Sequence, residues 1–90
     1  MTSKLRFLFA KGVIETLLYL NKVGKAGYYE LYKQGFVVSR QTFARILKGL
    51  EEKDIISRKL IDKRPPRVEY SLTEKGKEIT KILVRLNEVL

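Results

Sequence analysis

Gln41 and Arg45 stand four residues apart in a segment of helical periodicity, so both project from one face. Each side chain can grip a base edge with two hydrogen bonds, Gln on adenine and Arg on guanine. Lys48 extends the same face and Thr42 lies beside it. Ser39 and Arg40 come just before, at the start of the segment, where free backbone N–H groups and positive charge favour a phosphate. A second cluster holds Arg58, Lys59, Lys63, Arg64 and Arg67, against the single acid Asp62. Such a run suits a minor groove or a line of phosphates. Tyr28, Tyr29 and Tyr32 can place hydroxyls on phosphate, and Lys33 can add charge; of these, Tyr28, Tyr29 and Lys33 are the candidate phosphate contacts. Plainer uses exist for all three sets. A solvated helix face carries Arg, Lys and Gln, a protected edge hairpin carries Lys and Pro, and tyrosines pack in cores.

Other chemistries lack their residues. The chain has no cysteine and no histidine, so disulfides, thiol or imidazole catalysis and the usual structural zinc ligands are missing. Its acids are scattered, and there is no glycine-rich phosphate loop. No enzyme activity, cofactor or metal is expected. Nineteen Lys and Arg against ten Asp and Glu give a net charge of +9, which favours a polyanionic partner. With 44% hydrophobic residues the charge must decorate a fold. No apolar run approaches the roughly 18 residues of a membrane span, and no secretory leader is recognisable. A cytoplasmic, nucleoid-associated protein without a membrane partner is the expectation.

Ninety residues suit one domain, 1–90. Leu5, Leu8, Phe9, Val13, Leu17 and Leu20 recur at helical spacing, and Phe7, Ile14 and Leu18 add a second apolar line. One first helix over 5–20 is predicted, with only Lys4, Lys11, Glu15 and Lys22 as a polar strip, and a partner chain is its simplest cover. Gly24 and Gly27 bracket a break. A short second helix follows over 28–34, with Gly35 as its C′ residue. Ser39 caps a third helix over 39–53, whose core residues are Phe43, Ile46, Leu47 and Leu50. Strands are predicted over 55–61 and 67–72, where Val68, Tyr70 and Leu72 alternate with Arg67, Glu69 and Ser71. Between them Asp62 to Pro66 is predicted to leave the ladder as a stiff basic tip, because proline has no N–H to donate. Thr73 caps a last helix over 73–90, striped with Ile79, Ile82, Leu83, Leu86, Val89 and Leu90.

This order is that of a winged helix-turn-helix: mainly α (α+β), with three helices, a β-hairpin wing and a C-terminal dimerisation helix. Two stretches make the resemblance specific. Ser39-Arg40-Gln41-Thr42-Phe43 through Leu47-Lys48-Gly49-Leu50-Glu51-Glu52-Lys53-Asp54-Ile55-Ile56 resembles the recognition helix and exit turn of MarR, PadR and HxlR regulators. Pro65-Pro66-Arg67-Val68-Glu69-Tyr70-Ser71-Leu72-Thr73-Glu74-Lys75-Gly76 resembles their second wing strand and helix start. The similarity runs from about residue 5 to 90. The C-terminal segment is shorter than in many MarR proteins, so no small-molecule effector is carried over. The resemblance implies sequence-specific binding of double-stranded DNA by a homodimeric regulator, with helix 39–53 in the major groove and wing 58–67 on the flanking minor groove or phosphates. Leu5, Leu8, Phe9, Ile79, Ile82, Leu83, Leu86, Val89 and Leu90 are the expected dimer contacts. Two alternatives stay open: an architectural nucleoid protein indifferent to sequence, and a winged-helix module that docks on protein. The Lys-rich composition without cysteine suits an archaeal source or a virus of one.

Overall fold

The computed structural model describes residues 3–90. Eight elements follow in chain order: α1 Ser3–Leu8, α2 Val13–Val23, β1 Lys25–Ala26, α3 Tyr28–Tyr32, α4 Arg40–Glu52, β2 Ile56–Lys63, β3 Pro66–Leu72 and α5 Glu74–Val89. The winged-helix architecture is as the sequence predicts. Three local departures have physical causes.

First, the predicted helix over 5–20 is two helices. Gly12 takes φ +90°, a left-handed conformation that side-chain-bearing residues rarely adopt. A Cβ at that position would also collide with a methyl of Val37. The buried Thr16 hydroxyl donates to the Gly12 carbonyl at 2.6 Å and fixes the new helix start. The cover differs from expectation as well. Val13, Leu17 and Leu20 are fully buried by this chain's own core, so α2 is a central helix. Leu5 and Phe9, around the break, are the apolar side chains left outside.

Second, the break between Gly24 and Gly27 contains a strand. Lys25 pairs with Ser71 and Ala26 with Tyr70, giving an antiparallel sheet of order β1-β3-β2.

Third, the wing ladder runs on to its tip. Asp62 pairs with Arg67 and Lys63 with Pro66, which leaves Arg64-Pro65 as the connection. Pro66 is tolerated because it is the first residue of its strand. A register shift between Leu60 and Asp62 leaves Ile61 as the extra residue of a bulge.

Val13, Leu17 and Leu20 of α2 meet Leu31, Val37, Phe43, Leu47, Leu50, Ile55, Ile56, Tyr70 and Leu72 in one buried cluster. At about 25 cal/mol per Å² of apolar surface, such side chains each stabilise the fold by roughly 1.5–3 kcal/mol. The cluster therefore sets where α4 lies. Phe7 of α1 packs on Gly49, whose Cβ position is 3.2 Å from the ring, and the Lys53 ammonium sits 4.8 Å from the same ring centre.

The exit of α4 is joined to the start of α5. Thr73 accepts from the Gly76 N–H at 3.0 Å, as an N-cap should, and its hydroxyl lies 2.6 Å from the Asp54 carbonyl. The Thr73 N–H donates to the Ile55 carbonyl at 3.1 Å, and Lys75 Nζ donates to the Lys53 carbonyl at 2.8 Å. Gly76 is buried directly on the Ile55 carbonyl.

Candidate nucleic-acid interface

Helix α4 has two dissimilar faces. Phe43, Leu47 and Leu50 are buried and Ile46 is half-buried, which holds one face in the core. Gln41, Thr42, Arg45 and Lys48 are exposed on the remainder, and Ser39 and Arg40 are exposed at its start. The Ser39 side chain accepts from the Thr42 N–H at 3.2 Å, so this hydroxyl caps the helix. Gly49, flanking the outer arc on a helical wheel, is covered by Phe7 and does not join it.

Two tyrosines fix the start of α4. The Tyr28 hydroxyl donates to the Arg40 carbonyl at 3.2 Å, and the Tyr32 hydroxyl donates to the Val38 carbonyl at 2.6 Å. Their rings stack with centres 6.3 Å apart, and both lie about 6 Å from the Phe43 ring, at 5.8 and 6.0 Å. The Arg40 guanidinium rests over the Tyr32 ring, 5.3 Å from its centre. Tyr28 was a candidate phosphate contact, yet its O–H is committed to a backbone carbonyl, and a phosphate oxygen needs a donor. Tyr29, 65% exposed, and Lys33 keep free access to solvent. Side-chain-to-backbone clamps of this kind join residues twelve and six positions apart and leave no periodic signal in a sequence.

On the wing, Arg58, Lys59, Lys63, Arg64 and Arg67 are all exposed. Arg58 differs from the others because it pairs across the sheet with Tyr70. Burial pushes the Tyr70 hydroxyl above its ordinary value of 10.0, and neighbouring Arg58 partly opposes that shift. Among the described residues, three ion pairs form: Lys25 with Glu69, Lys77 with Glu74 and Arg85 with Glu88. None involves the basic residues of the α4 face or the wing. Among the described residues none of these cations lies within ion-pairing distance of a carboxylate, although Lys59 stands opposite Glu69 and Arg67 opposite Asp62 across the hairpin.

The apolar residues assigned to a partner surface divide. Leu8, Ile79 and Leu83 are half-buried against the core. Leu5, Phe9, Ile82, Leu86, Val89 and Leu90 are exposed by 54, 73, 59, 51, 67 and 94%. No helix among the described residues is long and apolar enough to cross a membrane, and no group of three metal-ligating side chains occurs among them.

A family model described as HxlR-like helix-turn-helix matches residues 13–90. An uncharacterized HTH-type transcriptional regulator of Methanothermobacter thermautotrophicus is 39% identical over 67 residues, covering 74% of this chain and 51% of that protein. Another, sll1512 of Synechocystis, is 41% identical over 51 residues, covering 57% of this chain and 38% of that protein. The chain thus spans about half of the length of the first relative and 38% of the second. Among solved structures, the redox regulator HypR in its reduced form superposes with a TM-score of 0.84 at 26% identity, covering 94% of this chain and 83% of that one.

Proposed function

We propose, from the premise that this chain belongs to the HxlR-like helix-turn-helix family, that it binds double-stranded DNA sequence-specifically as a homodimeric transcriptional regulator. The observation that carries this reading is the division of α4. One face is locked in the core, while Gln41, Arg45 and Lys48 stand exposed on the other, with no ion pair among the described residues. A helix held in this way fits a major groove, where Gln41 and Arg45 meet base edges. Ser39 and Arg40 at its start face the phosphates, with Tyr29 and Lys33 alongside, and Thr42 lies beside the base-reading face. The wing adds Arg58, Lys59, Lys63, Arg64 and Arg67 to the flanking minor groove or backbone.

Pairing of two copies rests on the exposed apolar set of α1 and α5. Ile82, Leu86 and Val89 follow one another along α5 at helical spacing, with Leu90 just beyond its end, joined by Leu5 and Phe9. A run of uncovered apolar side chains marks a surface for association, and we assign it to a second copy of this chain. A two-fold dimer sets two α4 helices on successive major grooves, about 34 Å apart. No cofactor enters this reading, and HypR's redox character stays with that protein: these ninety residues contain no cysteine.

The test is selection of bound sequences from a randomised duplex pool at physiological salt, with molecular mass measured on the same sample. A palindrome with half-sites one helical turn apart, bound by a dimer, is the expected result. Binding without enrichment would replace the reading with architectural DNA coating, and absence of binding would replace it with docking on protein.

A further inference from the structure

Three successive residues before α4 have opposite fates. Phe36 is half-buried, its ring edge-on to Tyr19 with centres 6.1 Å apart. Val37 is 6% exposed and fills the space that Gly12 leaves by having no Cβ. Val38 is 85% exposed, and among the described large apolar side chains only Leu90 is more so.

Isolated apolar residues are common on protein surfaces and need no function. Val38 is distinguished by how it is held. Its carbonyl accepts the Tyr32 hydroxyl at 2.6 Å. On one side Val37 is anchored in the core, and on the other Ser39 caps α4 and the Arg40 carbonyl is held by Tyr28. The backbone is therefore fixed on both sides, and a β-branched side chain adds few rotamers of its own. This positioned apolar group stands beside Ser39, Arg40 and Gln41, all of which can hydrogen-bond to a phosphate or a base. Val38 cannot do either. The apolar feature that a base edge displays in the major groove is the 5-methyl group of thymine.

We propose that Val38 is a specificity-determining residue that selects thymine in each half-site by packing against that methyl group. The inference rests on the reading that α4 enters the major groove with its N-terminal end leading. It adds apolar selection of thymine to the polar readout by Gln41 and Arg45.

Deoxyuridine tests it, because uracil lacks the methyl but keeps the hydrogen-bonding edge of thymine. Each thymine of the selected duplex is replaced singly by deoxyuridine, and affinities are measured for the unaltered chain, Val38→Ala and Arg45→Ala. One position per half-site should weaken the unaltered chain by about fourfold, the worth of one buried methyl-sized group. Val38→Ala should bind the thymine duplex more weakly and be indifferent to uridine at that position, whereas Arg45→Ala should keep the uridine penalty. Melting curves should show Val38→Ala as stable as the parent. If Val38→Ala keeps the full uridine penalty, or if no thymine shows one, the assignment is overturned while an enriched palindrome keeps the groove reading intact. A pool without any enrichment overturns both.

Discussion

The Tyr32 hydroxyl donates to the Val38 carbonyl at 2.6 Å, so a side chain of α3 holds the backbone from which α4 begins. Removing it with Tyr32→Phe should cost about 0.5–1.5 kcal/mol of stability, a fall in Tm of about 4–8 °C per kcal/mol for a domain of this size. DNA affinity should fall as well, because the helix start loses its fixed position. Thermal melting and fluorescence anisotropy on the same variant check both. A lowered Tm with unchanged affinity would confine Tyr32 to stability.

Arg45 and Arg64 are both exposed cations, but the proposed reading gives them different tasks. Arg45→Ala should reduce discrimination at defined base pairs by about 1–3 kcal/mol. Arg64→Ala should weaken binding to all sequences alike and lower the salt slope by about one. Salt titrations on the selected duplex and on scrambled DNA separate the two behaviours. Equal losses on both duplexes for Arg45→Ala would remove it from base readout.

Gly76 leaves no room for a Cβ, which would collide with the Ile55 carbonyl. The obstacle is backbone, so Gly76→Ala should destabilise by about 1–3 kcal/mol or more. Urea denaturation measures it, and full stability would mean that α5 shifts freely on the exit of α4.

Leu86 is half outside the fold at 51% exposure. Leu86→Glu should therefore leave one chain folded while placing a charge in the seam between two copies. Sedimentation is expected to report monomers with unchanged circular dichroism. An unaltered mass would locate the contact between copies elsewhere.

Tyr70 gives the protein an alkaline limit. Burial raises its hydroxyl pKa above 10.0, so the folded state holds this proton more tightly than the unfolded chain does. The resulting stability is complete below about pH 10 and is lost as pH climbs through the raised folded value. Tyr70→Phe should flatten that part of the stability profile, which denaturation series from pH 8 to 11 would reveal.

Much of the architecture could be read in the sequence because its signals are local. Ser39 and Thr73 announce helix starts by their own cap chemistry, and Phe43, Leu47 and Leu50 declare a core face by spacing alone. What escaped depends on distant partners. The break at Gly12 is enforced by Val37, and the strand at Lys25–Ala26 exists by pairing with Ser71 and Tyr70. Two residues carry no periodicity. Within the interface, the outer face of α4 and the wing were legible as patterns of charge. Whether Val37 or Val38 points outward was not, since two identical neighbours differ only through Gly12 and Tyr32. The same holds for Tyr28 and Tyr29, adjacent residues of which one has its hydroxyl spent on Arg40.

On the proposed reading, the junction at Thr73, Lys75 and Gly76 would join two separate tasks in one measuring device. The helix proposed to face DNA and the helix bearing the proposed self-association stripe meet there through direct contacts to the backbone of residues 53–55. In a pair of such chains, the gap between the two reading heads is set like the jaws of a locked caliper. A site lengthened by one base pair would be both too far and rotated by about a tenth of a helical turn, and this hinge-free connection has no slack with which to follow it.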